Sequence, residues 1–332
     1  MAPGTYTGTG NRNLDFQGKD LVLRSEAGAR LTIVDVAGSD EDPARGILLG
    51  PGLTQATVLE GFTILNGFMV QGTGPTAKLE SEQRHDLSGA GIMIRGFCSP
   101  TVRDCVVRNC FSQFTGGGLG VELGAAPRLE NIVVTGCAAG IQGGGISVET
   151  GADATLIGCV LTGNRSINGG AAHFSPGAAT LTDCLLAGNA ADGRGGGIDV
   201  ILFARVRLER TILWNNCGGD GRSVFVDPAI AAPDADGFLQ LECCVVDTTS
   251  MSDVANVTEF VADNVFTDPF FCMASACGEA PTSSGDYAVA GSSPALPQNS
   301  PCGATIGPST HGCASPVRNA TWSRLKSLYR QH

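Results

Sequence analysis

The chain has 332 residues, of which 47 are glycine, 6% aromatic and 16% charged. With 42% apolar residues it is not a disordered chain, because enough apolar surface exists to offset the entropy lost on folding. A net charge of −11 argues against nucleic acid as a partner, and no run approaches the about 20 apolar residues of a membrane span.

In chain order, Met1-Ala2-Pro3-Gly4 runs straight into turn-rich sequence with no leader pattern. From there a motif recurs: apolar-x-x-(Cys or apolar)-x-apolar-x-x-Asn. It occupies Leu59–Asn66, Val102–Asn109, Leu129–Gly136, Leu156–Gly163, Leu181–Gly188, Leu208–Asn215 and Leu241–Thr248. The central positions Phe62, Cys105, Ile132, Cys159, Cys184, Thr211 and Cys244 are 43, 27, 27, 25, 27 and 33 residues apart. The longest gap holds an insertion at about 70–88. A second marker, a glycine-rich turn before a short strand, falls at Gly91, Gly118, Gly145, Ala171 and Gly197, spaced 27, 27, 26 and 26. Two independent markers share one period, which is the signature of a solenoid.

The repeat is built of strands. Thr155–Leu161 alternates with period two, and no part of the repeat offers the ten or so residues of amphipathic pattern that a helix needs. Triplets such as Gly116–Gly118, Gly143–Gly145 and Gly195–Gly197 would break helices but suit tight corners. The expected fold is all-β: a single-stranded right-handed parallel β-helix of roughly nine to eleven coils. Stacking at about 4.8 Å makes the central positions an inward ladder, with Val107, Val134, Leu161, Leu186, Leu213 and Val246 as a second. Asn164, Asn189 and Asn216 align in the following turn, where amides can bond from coil to coil. Division of the chain follows: β-helix over 1–300 and a capping segment over 301–332. In the tail, Trp322, Leu325, Leu328 and Tyr329 trace a short amphipathic helix with Arg324, Lys326 and Arg330 as its basic side.

These residues resemble the bacterial secreted right-handed parallel β-helix repeat proteins of the pectate-lyase-like superfamily. Pro3-Gly4-Thr5-Tyr6 resembles the turn that opens many such helices, and Ser99-Pro100-Thr101-Val102-Arg103-Asp104-Cys105 is typical of their coils. Asp268-Pro269-x-Phe271 and Gly285-Asp286-Tyr287 resemble their last coil. The resemblance implies export to the cell surface or beyond, with a signal peptide and a cap ahead of Pro3. This sequence starts inside that opening turn, so an N-terminal truncation is expected. An uncapped first coil would invite end-to-end self-association. In an exported protein, Cys272, Cys277, Cys302 and Cys313 read as two disulfides; of three pairings Cys272–Cys277 with Cys302–Cys313 is preferred, and zinc is the alternative. The ladder cysteines read as small hydrophobes, and Cys110 with Cys137 can form a bridge on adjacent coils.

Enzymes of this fold imply convergent charge on one outward face: a base and a cation, often calcium, in lyases, or clustered carboxylates in hydrolases. Glu122 and Glu149 occupy equivalent outward positions on neighbouring coils, with Arg95 one coil earlier. Two stacked carboxylates share a proton or hold a cation, so they are also the candidate calcium ligands. His173 and Asp199 form a second outward row, and Asp104 and Asp183 fall in a third. Trp214 is the aromatic candidate for stacking on a sugar. In the insertion, Lys78, Glu80, Glu82, Arg84 and His85 bring charge to a long loop. Against catalysis, the chain has no Asp-Asp pair, no His-Gly pair and no Arg-x-Pro-x-x-Arg pattern. The expected function is a non-catalytic surface for glycans or proteins; the alternative is a lyase or hydrolase of an acidic polysaccharide.

Overall fold

A computed structural model describes residues 1–71, 86–220, 223–227, 239–248, 251, 258–308 and 312–313. Lys78, Glu80, Glu82, Arg84 and His85 of the insertion, and the tail helix around Trp322, lie outside the described residues. Coils contribute short strands to three parallel sheets: one to the first, one to each of two halves of the second and, over six coils, one to the third. Among the described residues, sheet A has nine strands, from Gly4–Tyr6 through Thr63–Leu65 and Val160–Thr162 to Val245–Val246. Sheet C has six, from Phe68–Met69 to Cys217–Gly218. Sheet B has fifteen in two side-by-side halves. Those halves fuse where Ile146–Ile157 and Ala172–Thr182 run unbroken across the bend between them.

The expected right-handed parallel β-helix is therefore present, with about eight turns where roughly nine to eleven were expected. The shortfall has two sources. Insertions lengthen two coils, and the chain after Val265, which still pairs with Val245, leaves the coil path.

Register follows the sequence repeat. Val106, Val133, Val160, Leu185, Ile212 and Val245 pair in succession, which stacks Cys105, Ile132, Cys159, Cys184, Thr211 and Cys244 inside. All six are 1% exposed or less. The second row, Val107 to Val246, is equally buried, each aliphatic contributing roughly 1.5–3 kcal/mol. The asparagine ladder closes the corner after sheet A. Asn164 Nδ2 donates to Asn189 Oδ1 (3.0 Å), and Asn189 Nδ2 donates to Asn216 Oδ1 (2.9 Å). Each amide also donates to a carbonyl of the preceding coil: Val134, Leu161 and Leu186 respectively. In the two coils before Asn164 the same corner holds Cys110 and Cys137, both buried free thiols rather than a bridge.

The C-terminal segment differs most from expectation. Instead of closing the end, residues 270–308 run back as a strap along the outer face of sheet A. Val289, Ala295, Leu296 and Ile306 pack on Leu185, Ala187 and Ile212. Thr282 N–H donates to Gly163 O (2.8 Å), and Gly307 N–H donates to Arg210 O (2.7 Å). Three disulfides fasten it: Cys217–Cys277, Cys243–Cys302 and Cys272–Cys313. All four expected cysteines are bonded, but not in the expected pairing. Two of their partners, Cys217 and Cys243, come from the solenoid wall. Three bridges are consistent with an oxidising, extracellular setting. No helix among the described residues is long and apolar enough to cross a membrane.

Glycine at 163 is what lets the strap lie close. Its φ is +59°, and a Cβ there would sit 1.9 Å from the Thr282 carbonyl oxygen. Gly151 shares a left-handed φ, +75°, but faces open space. Gly163→Ala is expected to cost about 1–2 kcal/mol more than Gly151→Ala, since only the first adds a clash to the backbone strain. Urea midpoints of the two variants measure the difference; equal losses would mean that the strap contact contributes nothing.

Candidate functional site

Two adjoining surfaces of sheet B carry the candidate chemistry. The first lies outside the half formed by Ile92–Arg95, Leu119–Glu122, the start of Ile146–Ile157, the start of Ala172–Thr182, Ile198–Val200 and Val224–Val226. Strand alternation sends Ile146, Val148, Ala172, Phe174, Ile198 and Val200 inward. It sends one continuous row outward: Met93, Gly120, Ser147, His173, Asp199 and Phe225.

That row is covered. The chain returning from sheet C crosses directly above it, so a Cβ on Gly143 would meet Ser147 Cβ at 3.0 Å and one on Gly169 would meet His173 Cβ at 3.1 Å. The covering turns bond to one another from coil to coil, as in Gly143 N–H to Asn168 O (3.0 Å) and Gly169 N–H to Arg194 O (3.1 Å). The first glycine of each triplet thus forms a roof, in addition to turning a corner.

Beneath it, His173 Nδ1 lies 2.8 Å from Asp199 Oδ2, and both residues are fully buried. Arg194 Nε donates to Asp199 Oδ1 (2.9 Å), while its guanidinium lies 4.3 Å from the Phe225 ring centre. Three polar atoms here are buried without a partner among the described residues: His173 Nε2, Ser147 Oγ and Glu149 Oε1.

In the adjacent row Glu122 pairs in register with Arg95, and Glu149 with Ser175. Glu122 is 1% exposed, with Thr115 Oγ1 at 3.4 Å from its Oε1, and Thr115 in turn reaches Ser88 Oγ (3.0 Å). Glu149 is half-buried. Arg95 is paired with Asp86 (2.8 Å). Nearby, Arg45 is buried and donates to the carbonyls of Asp86, Ser88 and Gly89. Burial, with Arg95 close by, lowers its guanidinium to about 10.

Glu122, Glu149, His173 and Asp199 therefore do gather on one patch, but mainly under cover. Calcium takes six to eight oxygens. Two carboxylates of unequal exposure fall short of that, and no group of three or more His, Cys, Asp or Glu positioned for a metal occurs among the described residues.

The second surface is the other half of sheet B, where the outward side chains are open to solvent. One row runs Thr101, Arg128, Thr155, Thr180, Arg207, Gln240 and Glu259, and beside it lie Asp153, Ala178 and Arg205. Small Thr and Ala side chains between longer ones leave a groove of about 390 Å³ lined by Ala178, Thr180, Arg205, Arg207, Gln240 and Glu259. Arg207 is paired with Glu242 (2.5 Å). Arg205 is exposed and has no partner among the described residues. Several coils away, at the N-terminal end of this half, Arg24 and Arg103 both bond Glu60 Oε2. Partial burial would raise the Glu60 carboxyl, but these hydrogen bonds outweigh it and hold it below the usual carboxylate range.

Trp214 points outward from sheet A into a cleft beside the strap, shared with Asn215, Asp268, Phe270 and Phe271. Asp104 and Asp183 sit at corners, bonded to Asn131 (3.0 Å) and Arg210 (2.7 Å) respectively. Sequence reasoning missed Ser147 and Arg205. Extending the His173–Asp199 row back by one coil, and the Asp153–Ala178 row forward by one, would have found both.

No family model matches the chain, and no curated protein does. Among solved structures it is similar to the crystal structure of pectate lyase Pel9A, at 10% identity and a TM-score of 0.52, over 89% of this chain and 81% of that one. The likeness establishes the fold: a pectate-lyase-like parallel β-helix.

Two outcomes test this geometry. Asp199→Asn removes the one charge that offsets Arg194 and orients His173, and is expected to lower stability by about 3 kcal/mol; a variant as stable as the parent would mean that the buried cluster is held by its roof alone. Because the Glu60 carboxyl is lowered in the folded state, its contribution is present above the unfolded carboxylate range and lost as pH falls through its folded value. Acid titrations of Glu60→Gln should accordingly show a shallower loss of stability on the acid side than the parent.

Proposed function

We propose that the protein is a non-catalytic, extracellular β-helix that binds polysaccharide along the open half of sheet B. The observation that carries this reading is the contrast between the two halves. Residues with acid–base chemistry lie under the roof, whereas the accessible half offers hydroxyls, guanidinium groups and small residues repeated at coil spacing. Coils rise by about 4.8 Å, close to the length of one sugar unit, so a chain lying along the solenoid axis meets an equivalent row at every unit. Arg205 supplies a guanidinium fork with no partner among the described residues, and Thr155 and Thr180 supply hydroxyls. Disulfides and the pectate-lyase-like fold are in keeping with secretion or display at the cell surface.

A second reading, a lyase or hydrolase of an acidic polysaccharide, has one observation in its favour. Ser147 Oγ, His173 Nε2 and Glu149 Oε1 lie on adjacent coils without partners among the described residues, and buried polar groups are ordinarily paired. Catalysis there requires the roof to open.

A panel of uronate-containing and neutral polysaccharides separates the two. Binding measured by calorimetry should fall at least tenfold in the double variant Arg205→Ala/Arg207→Ala, with no unsaturated product or new reducing end, with or without calcium. Depolymerisation abolished by Glu149→Gln would replace this reading with the enzymatic one. A folded protein that neither binds nor cleaves any polymer would sink both.

A further inference from the structure

We infer that the cleft between sheet A and the strap is a second carbohydrate site, one that takes a neutral pyranose ring; the inference rests on the glycan-binding reading above. The cleft, of about 420 Å³, is formed where two separate parts of the chain meet. One wall is the solenoid: Trp214 projects outward at the end of strand Ile212–Trp214, and Asn215, at φ +54°, turns the corner behind it. Asn215 Nδ2 donates to Ser275 O (3.0 Å), which fixes the distance between the walls. The other wall is the strap: Asp268, Phe270 and Phe271, backed by the Cys272–Cys313 disulfide.

The two phenylalanines are held differently. Phe271 packs edge-on against Tyr287, with ring centres 5.4 Å apart at 80°, so its ring is a fixed wall. Phe270 sits at φ +56° and is 47% exposed. A bulky residue in the left-handed region is strained, and one this exposed regains little of that cost through burial. Its amide is secured by Asp268 Oδ1 at 2.7 Å, which pins the strained turn in place. The strap thus gives up stability to hold an aromatic face out at the cleft mouth, opposite an indole.

Aromatic faces beside a carboxylate suit two kinds of ligand, an organic cation or a sugar. A cation needs rings on several sides to replace its hydration, and this cleft is wide, open and built from two walls. A pyranose presents flat C–H faces to the indole and the phenyl ring and directs hydroxyls at its rim. Asp268 is the charged lining residue; its second carboxylate oxygen, with no partner among the described residues, accepts hydroxyl protons. The same charge repels a uronate. The site therefore selects neutral sugars, unlike the guanidinium-bearing groove on sheet B.

Trp214 and Trp322 are the two tryptophans, so Trp322→Phe leaves Trp214 as the sole indole emitter. In that background, fluorescence is titrated with glucose, galactose, mannose and their β-1,4 disaccharides, with galacturonate and tetramethylammonium as contrasts. At least one neutral probe should give a saturable change, with galacturonate at least tenfold weaker. Phe270→Asn, which tolerates the left-handed turn, should weaken the neutral probe at least tenfold while the circular dichroism spectrum is unchanged. Saturation by tetramethylammonium alone, no saturation by any neutral probe, or an unaffected Phe270→Asn variant would each overturn the assignment. Polymer binding lost in Arg205→Ala/Arg207→Ala but intact in Phe270→Asn, without any neutral-sugar signal, would mean that this inference fails while the groove reading stands. The converse pattern would separate the two in the opposite direction.

Discussion

Every other feature of the molecule depends on the parallel backbone ladder between coils. Once Val133 pairs with Val160 and Val160 with Leu185, each side chain in a coil is placed against its equivalent in the next. A single residue choice therefore becomes a row. Inward rows become the core, and a polar residue inside is tolerable when its row can satisfy it. The asparagine ladder shows the condition being met: the Asn164 and Asn189 amides each donate to a neighbouring asparagine and to a carbonyl of the preceding coil. Where the row changes to Cys137 and Cys110, the thiols fill the corner as small buried groups, and burial pushes the Cys137 thiol well above its usual value.

The same rule sets how much was legible in the sequence. Inward rows could be read because an apolar period of about 27 residues fits few folds besides stacked coils, and the Phe62–Cys244 alignment matches the strand register throughout. Outward rows could be aligned equally well, and Glu122 does pair with Arg95 as the spacing implied. What alignment could not supply is cover. Gly143, Gly169 and Gly195 read as corner glycines, and nothing in their spacing says that the turns they make fold back over Ser147, His173 and Asp199. Cover by the strap was hidden for a different reason. Lateral packing on sheet A has no period, so Val289, Leu296 and Ile306 carry no signal that points to Leu185 and Ile212. With the strap's course unknown, Cys217 and Cys243 counted as wall residues, and the true disulfide partners were out of view.

Cover also divides the surface by accessibility. A solenoid of three sheets begins with three outward faces, and this one closes large parts of two of them. Sheet A is overlaid by the disulfide-tied strap along its later coils, and half of sheet B lies under its own returning turns. The strap shields Leu185, Ala187 and Ile212, which would otherwise form an apolar patch of the kind that drives association. The roof takes His173, Asp199 and Glu122 out of solvent, where Asp199 bonds both His173 and Arg194 and Glu122 accepts from the Thr115 hydroxyl. The accessible polar rows are thereby concentrated on the second half of sheet B.

On that half, the net charge of −11 is a poor guide to local chemistry. Along the early coils the carboxylates are matched by guanidinium groups one coil away, as in Arg24–Glu60–Arg103, and such exposed pairs contribute little stability each. Their effect is to neutralise the face. Near Thr180 the pattern opens: Arg207 leans to Glu242, while Arg205 is left without a partner among the described residues beside small side chains. A locally uncompensated guanidinium in a groove is where a hydroxyl- or anion-bearing chain gains most and displaces least. At the strap cleft the balance is reversed, with Asp268 the charge beside exposed rings. One acidic solenoid thus presents two surfaces of opposite local sign. The local sign of each follows from the charge that its own row or turn leaves unpaired, and not from the charge of the whole.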